Sequence, residues 1–229
     1  ESGIIDHNMT FDVSKPIKNK IEDWDPCNCR LSVKEIVVRS SNIGTAKIAE
    51  KIGKDNQIEF FEKIGFYEPV NIRLTEAAKP FGQPYHWGKM ETMTIGYGHG
   101  FAVTPLHLAV AYSGILNDGI KSDPKIIIDD KIKNYKKIIN KETSNYISYL
   151  LRSVIQETEI TGPKVKIEGY DIGGKTGTAE LINSQNDYDK DLNRTIFVSA
   201  FPMSDPKYLI LSFIDKPKRK KENNYSITS

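Results

Sequence analysis

Little in this 229-residue chain points to a metal, a membrane or a nucleic acid. Cysteine is nearly absent: Cys27 and Cys29, one residue apart, are the whole complement. A structural zinc site takes about four ligands, and no His or Cys pair stands at a suitable spacing, so no metal site and no cofactor are expected. A disulfide across one residue is geometrically poor; both cysteines read as incidental and leave the compartment open. Long apolar runs are missing as well. The most apolar stretch, Phe101 to Leu116, carries Thr104, Pro105, His107 and Ser113 and is too short and too polar to span a bilayer. The opening Glu1-Ser2-Gly3-Ile4-Ile5-Asp6-His7 lacks the basic start and apolar core of a signal peptide. Net charge is only +2, which gives no argument for nucleic-acid binding. The basic cluster Lys216, Lys218, Arg219, Lys220 and Lys221 reads as a solvated loop or tail. There is no internal repeat. The chain as given reads as soluble, and its start at Glu1 without a methionine fits a piece of something longer.

What is present is ordinary globular material, 38% hydrophobic and 27% charged, long enough to bury a core as one domain or most of one. Residues 1 to about 30 read as irregular with short strands. Ser32-Val33-Lys34-Glu35 is a capping box that starts a short helix ending near Arg39, with Ile36 and Val37 inward. Ser40-Ser41-Asn42 follows in a tight connection. A second helix buries Ile43, Ala46, Ile48, Ala49 and Ile52 and stops at Gly53; a third runs from Asp55 to about Ile64 and stops at Gly65. Residues 66–98 read as turns and loops, and Gly96 to Gly100 as a glycine-rich turn. Thr104-Pro105, a good cap followed by proline at the first helical position, opens the clearest helix, closed by Asn117-Asp118-Gly119. Lys121 to Lys141 reads as a lysine-rich surface excursion, and a helix from about Lys141 to Gln156 follows. Three strand-like runs end the chain: Lys164 to Glu168, Thr195 to Phe201 and Tyr208 to Ile214, with a polar stretch Asn183 to Asn193 between the first two. Helices first and strands last predict an α+β arrangement, helices packed on a mainly antiparallel sheet, with residues 1–163 mainly helical and 164–229 forming the sheet.

Two short motifs carry chemistry. Lys175-Thr176-Gly177-Thr178 on a strand would present an ammonium, two hydroxyls and a bare backbone to a ligand, since Gly177 has no Cβ in the way. Ser40-Ser41-Asn42 lies far upstream. Two readings compete. Gly169-Tyr170-Asp171-Ile172-Gly173-Gly174-Lys175-Thr176 is a literal phosphate-binding P-loop pattern, and Leu209 to Asp215 resembles a magnesium-holding strand. Against it, Gly177 is a poor helix starter where that loop needs a helix, and Asp171 would put a negative charge in the phosphate nest. The other reading joins the two motifs as Ser-x-Asn and Lys-Thr-Gly of the serine acyl-transfer enzymes that bind penicillin. Ser40 to Asn42 also suits a plain helix cap. His99 and His107 read as structural, and His7 and His86 carry no signal.

The second reading gains weight from further matches. Ser40-Ser41-Asn42-Ile43-Gly44 resembles the Ser-Ser-Asn helix start of class B penicillin-binding proteins. Gly96 to Leu106 is similar to their Gly-x-Gly…Thr-Pro-Leu segment, Gly174 to Glu180 to their Lys-Thr-Gly strand, and Phe201-Pro202…Tyr208 with Asp215-Lys216-Pro217 to the two strands that follow. The matches come in family order over nearly the whole chain, and look most like the division-type enzyme, with the elongation type close behind. The resemblance implies a peptidoglycan D,D-transpeptidase of penicillin-binding, β-lactamase-like fold. Its partners would be the peptidoglycan stem peptide, β-lactam antibiotics and, in a longer parent, division or elongation membrane proteins, with no nucleic acid. The setting implied is the periplasmic face of a bacterial inner membrane, with the parent held by an N-terminal helix. It implies that Ser40 shuttles a proton, that Asn42 bonds the substrate amide and holds a catalytic lysine, and that Lys175 sets the positive potential. Thr176 and Thr178 would bind the substrate carboxylate along the bare Gly177 backbone, and the Thr178 N–H would supply half of an oxyanion hole.

One family element does not occur in this sequence. The Ser-x-x-Lys nucleophile should precede Ser40, and no such pattern stands among the first 39 residues. Ser122-Asp123-Pro124-Lys125 and Ser204-Asp205-Pro206-Lys207 match literally but lie in polar connections, where Ser and Lys would not share a helix face. The earlier strands, the nucleophile helix and a C-terminal helix are therefore expected to be missing, and this chain alone is expected to form no acyl-enzyme. A noncatalytic scaffold remnant is the further alternative.

Overall fold

The computed structural model describes residues 2–72, 77, 79–80, 84, 86–127, 134–157, 165–182 and 188–217, of residues 182 and 188–191 the backbone only. Near the start, β1 (Thr10–Asp12) pairs antiparallel with β2 (Arg30–Ser32), and the segment between them lies over the first helices. The capping box forms as the sequence predicts. Ser32 Oγ accepts from Glu35 N, Glu35 Oε2 accepts from Ser32 N at 2.7 Å, and α1 runs Val33–Arg39. Next come α2 (Asn42–Ile52) and α3 (Lys54–Ile64), ended by Gly53 and Gly65 at φ 84° and 91°, where only glycine sits without strain. Val13, Ile21, Leu31, Ile36, Ile43, Ala46 and Met93 form the core under this part.

Residues 66–98 are not all loop. They hold α4 (Lys89–Gly96), which packs on α2 so closely that a Cβ on Gly96 would meet Ala49. The sequence hides this helix because Gly88 brings no capping side chain and Thr92 and Thr94 are weak helix formers; burial of Thr92, Met93 and Ile95 stabilises it instead. Thr104 caps α5 (Pro105–Leu116), accepting from His107 N. The lysine-rich excursion is also corrected. β3 (Ile120–Ser122) pairs with β4 (Tyr135–Lys137), and directly after them Ile138 and Ile139 are buried with Ile64, Phe66 and Ala111. Two adjacent core isoleucines behind a run of lysines show no periodicity, so the local pattern reads as surface.

After α6 (Lys141–Glu157) the chain reaches the main sheet. It has strand order β5 (Gly173–Ile182), β6 (Tyr188–Phe201), β7 (Tyr208–Asp215), all antiparallel. The expected strand over Lys164 to Glu168 is overturned. Lys164 lies outside the described residues, and residues 165–168 form no strand; Ile167 is 55% exposed and Gly169 turns the chain at φ 82°. The alternation there has no neighbour to pair with, because β6 pairs with the Lys-Thr-Gly segment itself. Most of the polar stretch between the strands belongs to β6, residues 183–187 lying outside the described set.

Helix α6 packs on β5 and α5 on β7, with Leu116, Leu151, Ala200 and Met203 at the contact. At the start of β5 the fit is tight. A Cβ on Gly173 would lie 2.7 Å from Met203 Sδ, and one on Gly174 2.7 Å from the Val198 carbonyl oxygen. The architecture is thus α+β with helices against an antiparallel sheet, as the sequence predicts. Among the described residues no helix is long and apolar enough to cross a membrane. Cys27 and Cys29 are not incidental: they form a disulfide, their Cα atoms 5.3 Å apart. That separation falls within the range a disulfide accepts, because the chain turns at Asn28 before entering β2.

Candidate active site

The site grows from two places far apart in sequence. The first is the joint between α1 and α2. Ser40 ends α1 in the left-handed conformation, φ 57° and ψ 44°, a backbone region that costs a non-glycine residue of order 1 kcal/mol. Ser41 is buried and caps α2; its Oγ accepts from Gly44 N at 2.9 Å and donates to Asp23 Oδ2 at 2.7 Å. Asn42 opens α2, its Nδ2 donating to the Glu22 carbonyl at 3.0 Å. The three motif residues therefore do three different jobs. Capping belongs to Ser41, and Ser40 is left with an exposed hydroxyl.

The second place is β5. Among the described residues β5 pairs on one side only, with β6. Lys175 Nζ donates to Ser40 Oγ at 2.8 Å, across 135 residues, and to its neighbour's carbonyl, Thr176 O, at 3.1 Å. Burial removes water from the ammonium and holds the Lys175 pKa down at about 8, against an ordinary 10.5. Thr176 is half-buried and Thr178 exposed. A Cβ on Gly177 would touch only Ile196 Cγ2, at 3.0 Å, with nothing else within 4 Å; the backbone there is open to close approach.

The structure thus brings Ser40 and Lys175 into contact and puts Thr176, Gly177 and Thr178 on the same strand. Asn42 stands two residues from Ser40; one of its two amide N–H donors is committed to the Glu22 carbonyl, which leaves the other N–H and the side-chain oxygen for the site. Sequence reasoning missed Glu22 and Asp23. An acidic pair 18 to 20 residues before the motif it touches has no local signature.

His107 is 3% exposed and held by Thr104 Oγ1 at 2.7 Å and the Glu68 carbonyl at 2.9 Å, a packed histidine. His99 is half-buried beside Tyr97, its pKa lowered by burial and partly restored by Glu180. The P-loop reading is overturned: Lys175 and Thr176 lie inside a ten-residue strand, where that loop needs a helix N-terminus. Neither literal Ser-x-x-Lys opens a helix, since Ser122 ends β3 and Ser204 lies in the turn between β6 and β7. Of the basic cluster near the C-terminus only Lys216 is described.

The chain has relatives among known proteins. The model of the penicillin binding protein transpeptidase domain matches residues 1–228. The peptidoglycan D,D-transpeptidase FtsI of Buchnera aphidicola is 30% identical over 198 residues, 83% of this chain and 34% of that protein. Penicillin-binding protein PbpB of Mycolicibacterium smegmatis is 30% identical over 198 residues, 79% of this chain and 31% of its own length. The transpeptidase domain of penicillin-binding protein 3 from Burkholderia pseudomallei superposes with a TM-score of 0.82 at 26% identity, covering 92% of this chain and 65% of that one. The chain spans about a third of the length of these two curated relatives.

Proposed function

The chain belongs to the penicillin-binding protein transpeptidase domain family, and from that premise we propose that it is the Ser-x-Asn and Lys-Thr-Gly part of a peptidoglycan D,D-transpeptidase. The observation that carries this reading is the Lys175–Ser40 hydrogen bond, which joins the two motifs into one site.

In this mechanism a serine of a Ser-x-x-Lys motif, which does not occur among the 39 residues before Ser40, attacks the carbonyl of the penultimate D-Ala of a stem peptide. Ser40 relays the proton from the nucleophile side to the departing amine of the last D-Ala. A lysine held near pH 8 is suited to exchange that proton with the Ser40 hydroxyl it touches, because its pKa lies close to working pH. Lys175 also gives the site its positive potential, and Thr176 and Thr178 take the terminal carboxylate of the acyl donor. The Thr178 N–H, beside the open Gly177 backbone, supplies one donor to the developing oxyanion. The acyl group then passes to an amine of a neighbouring stem peptide, and the serine recovers its proton. Asn42 contributes its side-chain oxygen to the substrate or the nucleophile lysine. A β-lactam enters as a mimic of the acyl donor and stops at the acyl-enzyme. The division or elongation machinery on the periplasmic face of the inner membrane is the proposed setting.

The test is to extend the chain along its own reading frame and map the benzylpenicillin adduct by mass spectrometry. An adduct on a Ser-x-x-Lys serine upstream of Ser40 supports the reading. A stable adduct on this 229-residue chain alone, or none on the extended protein, refutes it.

A further inference from the structure

We propose that Asp23 is a positioning residue for this site: by gripping the start of α2 it holds Ser40 turned onto Lys175. The inference rests on reading the Ser40–Lys175 pair as part of the transpeptidase site, but its argument is local geometry. Three consecutive residues after Ser40 are each bonded to the pair Glu22–Asp23. Ser41 Oγ donates to Asp23 Oδ2 at 2.7 Å, Asn42 Nδ2 donates to the Glu22 carbonyl at 3.0 Å, and Ile43 N donates to Asp23 Oδ1 at 2.9 Å.

Ser40 itself is in a left-handed conformation that a residue with a Cβ does not hold unaided. Such a conformation persists only where the surroundings over-determine it. On its N-terminal side Ser40 has ordinary helix-end bonds, Ser40 N to Val37 O at 3.3 Å and Ser41 N to Ile36 O at 3.0 Å. On its C-terminal side the grip is the Asp23 carboxylate with both oxygens engaged, beside the Asn42 bond to the Glu22 carbonyl. The Ser41 hydroxyl has no freedom left, since it donates to Asp23 and accepts from Gly44. Direction at Ser41 fixes direction at Ser40, and hence where the Ser40 Oγ meets the Lys175 ammonium.

Two residues on, Asp25 offers a contrast. It pairs with Arg39 at 2.6 Å, with both side chains exposed, and it touches neither Ser41 nor the α2 start. Asp25 ties the same segment to α1 through the exposed side chain of Arg39, not through the backbone and cap that follow Ser40.

A residue that only capped α2 would change stability and leave the ionisation of Lys175 alone. A residue that positions Ser40 would change both. The experiment is a pH titration of the Lys175 Cε and Nζ signals by heteronuclear NMR on the whole chain, assigned through their loss in Lys175→Met. In Asp23→Ala, Ser40 is released, the ammonium regains water, and the midpoint rises from about 8 toward 10.5, by on the order of one unit or more. In Asp23→Asn, whose amide still bonds Ile43 N and Ser41, it stays near the wild-type value. In Asp25→Ala it stays unchanged. If Asp23→Ala does not fold, Ser41→Ala replaces it; there the midpoint rises part of the way. A folded Asp23→Ala or Ser41→Ala with an unmoved midpoint overturns the proposal, as does an equal rise in Asp25→Ala. The titration needs no turnover, so it can fail while the transpeptidase reading stands, and penicillin acylation can fail while the titration succeeds.

Discussion

Replacing Lys175 by methionine should stabilise the protein at neutral pH. Lys175 is charged at pH 7, yet its pKa is held at about 8 rather than 10.5 because folding strips water from the ammonium. Its contacts, Ser40 Oγ and Thr176 O, are neutral acceptors. At 1.36 kcal/mol per pKa unit, the interval from 10.5 to about 8 corresponds to an upper bound of roughly 3 kcal/mol by which folding is opposed at pH 7. Partial access to water reduces this, so Lys175→Met should gain about 1–3 kcal/mol at pH 7. The sign with pH follows. Below about 8 both states are charged and the whole cost is present. Between about 8 and 10.5 the unfolded chain binds more protons than the folded one, so wild-type stability rises with pH, and above 10.5 the cost is gone. Urea unfolding of both proteins at pH 7 and pH 10, taken as a difference, cancels the other titrating lysines and tyrosines. The wild type should close most of the gap by pH 10. A variant less stable than wild type at pH 7, or a gap that does not narrow with pH, refutes the account of a desolvated ammonium.

Three further outcomes follow from the local geometry. Ser32→Ala should cost about 1 kcal/mol by urea unfolding. It should also flatten the acid limb, because Ser32 holds the Glu35 pKa below its ordinary 4.5 and that stability is lost as pH falls through the folded value. Gly44→Ala should cost about 1–3 kcal/mol, since the new Cβ would lie 2.5 Å from Cγ1 of the fully buried Ile36; a neutral result would mean that the α1–α2 contact is loose. Ser40→Gly should leave stability unchanged or raised by up to about 1 kcal/mol, because glycine adopts the left-handed backbone freely. A large loss by calorimetry would mean that the Ser40 hydroxyl stabilises the fold rather than serving the site.

The parts of the fold that were legible in the sequence are those written in local chemistry. Ser32 with Glu35, Thr104 with Pro105, and Gly53 and Gly65 mark helix ends by rules that need no tertiary partner, and α1, α2, α3 and α5 appear where those residues put them. What stayed hidden is what distant packing decides. Helix α4 depends on Ala49 meeting Gly96, and Ile138 and Ile139 are core only because β3 and β4 fold back on α5. The strand expected over Lys164 to Glu168 failed for the complementary reason: good alternation, but no neighbour. At the site, only the family resemblance joined the motifs of Ser40 and Lys175; the contact between the two side chains, across 135 residues, is a finding of the structure. The division of labour between Ser40 and Ser41, the Asn42 bond to Glu22, and the grip of Asp23 depend on contacts across 18 or more residues and were not legible.

The central claim is that Ser40 and Lys175 are the proton-relay and electrostatic wall of a penicillin-acylated site. It is tested most directly by the rate constant for benzylpenicillin acylation of a longer protein whose reading frame carries a Ser-x-x-Lys upstream of Ser40, in wild type and in Lys175→Ala. The account predicts a loss of about 10²- to 10⁴-fold with the fold retained, the range for a positioned proton-transfer group or a charge stabiliser. An acylation rate unchanged in Lys175→Ala would contradict it.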